Sequence, residues 1–305
     1  MTQPRTILNC IGNTRLIALR HIVPQSGARI LLKLENENPT GSMKDRQALA
    51  MIEAAETDGR VRPGGTVVEY TGGSTGVSMA LVCAVKGHRL RIVSSDAFAR
   101  EKLDHMRILG ADLTIVRSDS GRMTEKLTRD MIEAARVIAA QTGGFWTDQL
   151  QNMDQLAAYH RMAEEIWVQT EGRVDAFVQS VGTAASLRGN AEILRRRNPD
   201  IRIVAVEPAE SPVLSGGAPG AHKIDGIGAG FVVPLWQKEI AGTIERVSTE
   251  DAKEMALRLA REEGLFAGTS TGANVIAALR TAEELGANAH VVTVMCDTGM
   301  KYLSR

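Results

Sequence analysis

Two hydrophobic periods alternate along the chain. Short runs rich in Val, Ile and Leu are separated by longer stretches whose apolar positions recur every three or four residues, the pattern of parallel βαβ units. Ile30–Glu35 reads as a strand. In residues 44–58, Ala48, Met51, Ile52 and Ala55 fall on one helical face before Gly59 stops the run. Thr66–Tyr70 is the next strand, and a glycine-rich turn then opens a helix through Val77, Ala80, Leu81 and Ala84 that ends at Gly87. Leu90–Ser94 and Leu113–Val116 are strands on either side of a helix through Leu103, Met106 and Leu109. Helices are expected at 122–141 and 154–170. A second group of strands follows, Asp175–Ser180, Ile201–Val206 and His290–Met295, with helices at 187–197, 250–263 and 273–285. Two strand clusters predict an α/β protein of two lobes, and open parallel sheets take ligands in the crevice at their strand ends. Residues 207–234 form the longest stretch without a predicted element, a length that marks a functional loop.

Composition narrows the field of functions. The 305 residues hold 36 Lys and Arg against 36 Asp and Glu, and aromatic residues make up 4%. Neither a basic face nor a stacking platform for nucleic acid is therefore expected. No run approaches the ~20 apolar residues of a membrane helix, and Met1–Arg5 lead into no apolar signal region, which predicts a cytoplasmic protein. Cys10, Cys83 and Cys296 are odd in number and lack CxxC spacing, and the six histidines lie far apart with no HExxH. No disulfide framework and no metal site are expected.

Four glycine- and hydroxyl-rich turns carry the remaining candidate chemistry: Thr71–Gly76, Gly182–Ser186, Gly226–Gly230 and Gly268–Gly272. Gly182–Ser186 lies between a strand and a helix, where backbone N–H groups cradle phosphate; a plain βα turn capped by Ser186 is the alternative. Thr71–Gly76 has the look of a degenerate dinucleotide turn, with Asp96 as its acid, but the first glycine is missing. The GxxxxGK[ST] phosphate loop and the GxSxG elbow are both absent. Ser42 and Asp45 have the spacing of a capping box, which places Lys44 in the first turn of its helix. An amine at the positive end of a helix is a good nucleophile toward a carbonyl.

The nine residues Asn38–Arg46, N-P-T-G-S-M-K-D-R, resemble the cofactor-lysine motif of the cysteine synthase and cystathionine β-synthase family of pyridoxal-phosphate enzymes. Other motifs follow in that family's order over essentially the whole chain. Thr71–Gly76 is similar to T-S-G-N-T-G, Gly182–Ser186 to G-T-G-G-T, and Asp148-Gln149 to D-Q. His222–Phe231 is similar to H-K-I-Q-G-I-G-A-G-F, and Asp297–Ser304 to D-S-G-E-R-Y-L-S. Thr269–Gly272 matches the stretch whose serine meets the cofactor's pyridine nitrogen.

The resemblance implies a fold type II enzyme, α/β in class, of two lobes. Each is a mostly parallel twisted sheet flanked by helices, with pyridoxal 5'-phosphate in the cleft between them. It implies a smaller N-terminal domain at 39–148 with the substrate loop, and a larger one from 1–38 plus 149–305 with the phosphate loop. Lys44 would bear the cofactor and move the Cα proton. Ser74, Gly182, Thr183, Ala184, Ala185, Ser186 and Ser270 would contact the cofactor, and Thr71, Gly72, Thr75, Gln149 and Gly226 the substrate. The implied reaction is β-replacement on an activated L-serine, in first place O-acetyl-L-serine plus sulfide to L-cysteine plus acetate. A cystathionine β-synthase-like or O-phosphoserine-using replacement, a β-eliminating lyase or dehydratase, and a weakly active partner-binding scaffold are the alternatives. A homodimer is implied as well, as is docking of the C-terminal tail of serine acetyltransferase.

The chain departs from the family pattern at the site itself. Gly72 stands for a serine, Ser74 for an asparagine, and Ala184 and Ala185 for two glycines. The alanines fit if both take negative φ. Water is expected to fill the gaps at 72 and 74, the alternative being that the space admits a bulkier amino acid.

Overall fold

The computed structural model describes residues 5–23, 25, 27–119, 121 and 124–303. These form two compact units. One is built from 38–155 with the flanking residues 5–11 and 301–303, the other from 12–37 and 156–300.

The first unit holds a four-stranded parallel sheet of β3 (Thr66–Tyr70), β4 (Arg89–Ser95), β5 (Asp112–Val116) and β6 (Phe145–Trp146), ordered β5-β4-β3-β6. Successive strand residues face opposite ways, so Val67 and Val68 enter different cores. Val67 packs with Ala48, Met51 and Ile52 of α1 (Lys44–Thr57), with Val77 and Ala80 of α2 (Ser74–Lys86), and with Met106 of α3 (Arg100–Ile108). Val68 packs with Leu127, Met131 and Ala135 of α4 (Glu125–Thr142). The sheet is thus covered on both faces, as parallel sheets are.

The second unit holds a six-stranded sheet ordered β1-β2-β10-β7-β8-β9. Its strands are β1 (Leu16–Ala18), β2 (Arg29–Leu34), β7 (Ala176–Ser180), β8 (Arg202–Pro208), β9 (Thr243–Val247) and β10 (His290–Met295). Only the β1–β2 pair is antiparallel. All five residues of β7 are buried, the apolar Ala176–Val178 and the polar Gln179 and Ser180 alike. The helices are α5 (Gln155–Gln169), α6 (Ala185–Arg197), α7 (Thr249–Glu262) and α8 (Thr269–Leu285). Ala273, Ala277 and Ala278 of α8 are fully buried with Val178, Val204 and Val291; their small side chains let the helix lie close on the sheet.

The predicted α/β class and its parallel sheets are present, and Thr66–Tyr70 and His290–Met295 have the expected bounds. Three strands have no counterpart in the sequence reading. β1 and β6 are too short to show a period. β9 is an edge strand carrying Glu245 and Arg246, charges that blunt a sheet edge and erase the apolar pattern. The expected helix at 122–141 begins on residues outside the described ones. Its described part starts at Glu125, where the Thr124 hydroxyl accepts the Leu127 N–H at 3.1 Å.

The capping box does not form. The N-cap of α1 is Met43, with no side-chain cap, and Ser42 Oγ instead accepts the Lys44 N–H at 3.3 Å. The Asp45 carboxylate turns to the Thr40 N–H (2.8 Å), the Thr40 hydroxyl (2.5 Å) and the Ser78 hydroxyl (2.5 Å). Burial raises its pKa against these three bonds. Lys44 is nonetheless the first residue of the helix. No helix among the described residues is long and apolar enough to cross a membrane.

Candidate active site

Most candidate residues leave the carboxyl ends of parallel strands, where open α/β sheets place their ligands. In the first unit, Thr71–Thr75 follow β3 and Gln149 follows β6. The Thr75 hydroxyl donates to Gln149 Oε1 at 2.9 Å, and Gln149 Nε2 donates to the Tyr70 carbonyl at 3.1 Å. Thr71 Oγ accepts the Gly73 N–H at 3.1 Å. Thr75 and Gln149 are thereby tied together, and all three residues are buried. Ser74 opens α2, and its hydroxyl accepts from Lys301 Nζ at 3.2 Å. Lys44 is half-buried at the start of α1. Ser304, the last residue of the C-terminal motif, lies outside the described residues.

The gap at position 72 is not left to water. A Cβ built on Gly72 would fall 1.8 Å from Cγ and Cδ2 of Phe98, so the phenyl ring occupies the space of the missing side chain.

The group that organises this loop is Glu69, absent from the sequence reading. It is fully buried on β3. Its carboxylate accepts the Tyr70 N–H (2.8 Å), the Gln149 N–H (3.0 Å) and the Thr147 hydroxyl (2.6 Å), joining the end of β3 to the loop after β6. Burial pushes its pKa up to about 8, with Asp148 adding repulsion, although the three hydrogen bonds pull the other way. The ordinary value is 4.5, so folding takes up a proton between those limits. The carboxyl therefore erodes stability as pH rises from 4.5 toward 8, and no further above it. Glu69→Gln keeps the shape without the charge. It is expected to melt with the parent near pH 5 and at least about 5 °C above it near pH 8, read by thermal unfolding across that range.

In the second unit, Gly182–Ser186 join β7 to α6. Backbone meets backbone closely here: a Cβ on Gly182 would lie 2.4 Å from the Gly226 carbonyl oxygen. Gly226 itself has φ +82°, and the Gly228 N–H donates to the Val181 carbonyl at 3.0 Å, fixing the approach. No side chain caps α6. The Thr183 hydroxyl accepts only a long bond from the Ala185 N–H (3.4 Å), which leaves its proton for an acceptor. The Ser186 hydroxyl, by contrast, donates to Gln179 Oε1 at 2.9 Å. Ser180 Oγ, just before the loop, is buried with no partner among the described residues. An uncapped helix start, a glycine with no room for Cβ and a donor hydroxyl together fit a phosphate.

Ser270 is buried in the first turn of α8. Its neighbours are pinned: Thr269 Oγ accepts the Asp225 N–H (3.2 Å), and Thr271 Oγ accepts the Cys296 N–H (3.1 Å). One turn on, Asn274 accepts the Ser180 N–H at 2.7 Å and donates to the Val294 carbonyl at 2.9 Å. Ser270 and the 182–186 loop are thus held to neighbouring strand ends.

The condition set for the two alanines fails at one of them. Ala184 has φ +69°, the left-handed region, because the chain must reverse there to start α6. An L-residue with a Cβ pays about 1–2 kcal/mol in that region. Ala184→Gly should recover part of this, less about 0.4–1 kcal/mol of added unfolded-state freedom. The expected result is a melting temperature about 1–3 °C higher by calorimetry.

Comparison with known proteins agrees with these motifs. The family model described as "Pyridoxal-phosphate dependent enzyme" matches residues 7–297. A cysteine synthase of Staphylococcus aureus (strain N315) is 40% identical over 300 residues, covering 98% of this chain and 95% of its own. The crystal structure of a cysteine synthase from Entamoeba histolytica superposes with a TM-score of 0.92 at 36% identity, covering 100% of this chain and 92% of that one. An O-acetylserine-dependent cystathionine β-synthase from Helicobacter pylori superposes with a TM-score of 0.91 at 31% identity, covering 100% and 99%.

Proposed function

Given that the chain belongs to the pyridoxal-phosphate-dependent enzyme family, we propose that it is a cysteine synthase, converting O-acetyl-L-serine and sulfide to L-cysteine and acetate. The observation that carries the reading is the hydrogen bond from Thr75 to Gln149. It joins two loops that are distant in sequence into one polar surface suited to an amino-acid carboxylate, in a chain that is similar to cysteine synthases from end to end.

Bound pyridoxal phosphate supplies an electron sink for negative charge developing at the substrate Cα. The chain's own residues do the rest. Lys44 holds the cofactor, takes the Cα proton and returns it at the end of the cycle. The N-terminus of α6, with Gly182 and Thr183, binds the phosphate without a cation. Thr71 offers the substrate carboxylate a hydroxyl beside the backbone N–H groups of its loop, while Gln149, fixed by Glu69, accepts the Thr75 hydroxyl and holds the loop in place. Ser270 offers the pyridine nitrogen a neutral hydroxyl. Being uncharged, that hydroxyl would hydrogen-bond the nitrogen without holding a proton on it as a carboxylate would. Ser186 supports the phosphate loop through Gln179 rather than by donating to the phosphate.

This reading carries three finer proposals: a homodimer, a place in the cytoplasm, and docking of a serine acetyltransferase C-terminal tail. It is tested with a donor panel. Purified holoenzyme with sulfide is expected to use O-acetyl-L-serine at least about tenfold more efficiently than O-phospho-L-serine or L-serine. Preference for either of the others would reassign the donor.

A further inference from the structure

We propose that Phe98 and Gly72 form one specificity element of the amino-acid site, the Phe98 ring replacing a side chain at position 72 and walling the loop on which the substrate carboxylate rests. The proposal builds on the assignment of Thr71–Thr75 as the substrate loop.

The steric observation is unambiguous. A Cβ on Gly72 meets Cγ and Cδ2 of Phe98 at 1.8 Å and Cε2 at 2.2 Å. Cγ is the atom by which the ring is anchored, so no small tilt clears it; the whole ring must leave. Gly72 is not in the left-handed region, so glycine is required there for room and not for conformation. Its neighbour Gly73 shows the contrast, with nothing within 4 Å of an added Cβ.

The register of the sheet explains why these two residues meet. β3 and β4 run parallel with Tyr70 opposite Val93, and the Thr71 N–H donates to the Val93 carbonyl at 2.9 Å. The loops that follow the two strands are therefore neighbours. Phe98 is held in its loop by a turn in which its N–H donates to the Ser95 carbonyl (3.2 Å). The Ala97 N–H donates to Ser95 Oγ (3.2 Å), and the Asp96 carboxylate accepts the Ser118 N–H (2.8 Å). The ring packs on the cluster containing Tyr70, Val93 and Leu127.

The chemical consequence follows from what a phenyl ring cannot do. It offers no hydrogen bond, so a carboxylate on this loop is left with the Thr71 hydroxyl and backbone N–H groups. The ring instead keeps water off them, which strengthens those bonds. Removing the ring alone opens the loop to water. Replacing ring and glycine together, Phe98→Ala with Gly72→Ser, exchanges an apolar wall for a hydroxyl that can bind the carboxylate.

The experiment is a double-mutant cycle on the holoenzyme with two readouts: thermal unfolding, and binding of L-serine as a carboxylate probe, followed through the absorbance of the bound cofactor. Gly72→Ser alone is expected to melt several degrees below the parent and to bind L-serine at least about tenfold more weakly. Phe98→Ala alone is expected to weaken binding about threefold or more. The double variant should recover the melting temperature of Phe98→Ala and bind L-serine more tightly than Phe98→Ala does. Should Gly72→Ser prove insoluble, a soluble double variant supports the same conclusion, and an insoluble one overturns it. Unfolding that is additive across the cycle means the two residues do not share one space, and the proposal fails. Coupled unfolding with L-serine binding unchanged in every variant places the pair outside the amino-acid site. That result overturns the proposal while leaving the β-replacement reading, which stands or falls with Lys44, untouched.

Discussion

Lys44→Ala is expected to lose β-replacement by at least about 10⁴-fold while remaining folded, because in the proposed mechanism one amine both holds the cofactor and moves the Cα proton. Its fold should not suffer. Lys44 is the first residue of α1, where a cation opposes the helix dipole, and alanine is the best helix former. The variant should therefore melt with the parent or up to about 2 °C above it. It should also retain cofactor through the 182–186 loop, but as a species that borohydride no longer fixes to the chain. In the parent, borohydride reduction followed by peptide mapping should place the pyridoxyl group on Lys44. Retained activity in Lys44→Ala, or a label on another lysine, would remove the mechanism.

Gly182→Ala is the second change of large expected effect. The added methyl would stand 2.4 Å from the Gly226 carbonyl oxygen, a backbone atom that cannot swing aside. Gly226 is itself in a left-handed conformation, and the Gly228 N–H to Val181 carbonyl bond fastens the next turn. The loop must open by more than half an ångström, which displaces the N–H groups at the start of α6. Overpacking strain near the top of its usual range, about 3 kcal/mol, corresponds to about 100-fold in cofactor affinity. Titration of the apoprotein with pyridoxal phosphate measures this directly. Ala184→Gly, two residues away, has the opposite expected sign for stability, so a general intolerance of the loop to substitution would be exposed by comparing the two.

Much of this architecture was legible in the residues, and the exceptions share a cause. β3 and β10 could be read because their β-branched runs, Thr66–Val68 and Val291–Val294, are dense enough to mark a strand. β9 could not, since an edge strand carries the charges that protect it. Thr71, Thr75, Gln149 and Gly182 were named through the resemblance of their motifs to a known family, and each lies just past the carboxyl end of a strand; Lys44 was named the same way and opens α1. Glu69 was hidden because a lone glutamate inside an apolar strand says nothing about the two donors, Thr147 and Gln149, that meet it from the loop after β6. Phe98 was hidden for the same reason, although Gly72 was its trace: a glycine where a hydroxyl is expected signals that something else comes close. The Asp45 reading failed because spacing alone cannot tell a cap from a carboxylate drawn away to Thr40 and Ser78. Ala184 failed because an alanine in sequence gives no sign of a positive φ.

The central claim is that a nucleophile replaces the β-substituent, and product stoichiometry tests it most directly. Holoenzyme given O-acetyl-L-serine and sulfide should form one L-cysteine for each acetate released, with little pyruvate. Acetate release matched by pyruvate and ammonia, with no L-cysteine, would contradict it and mark the protein as an eliminating lyase.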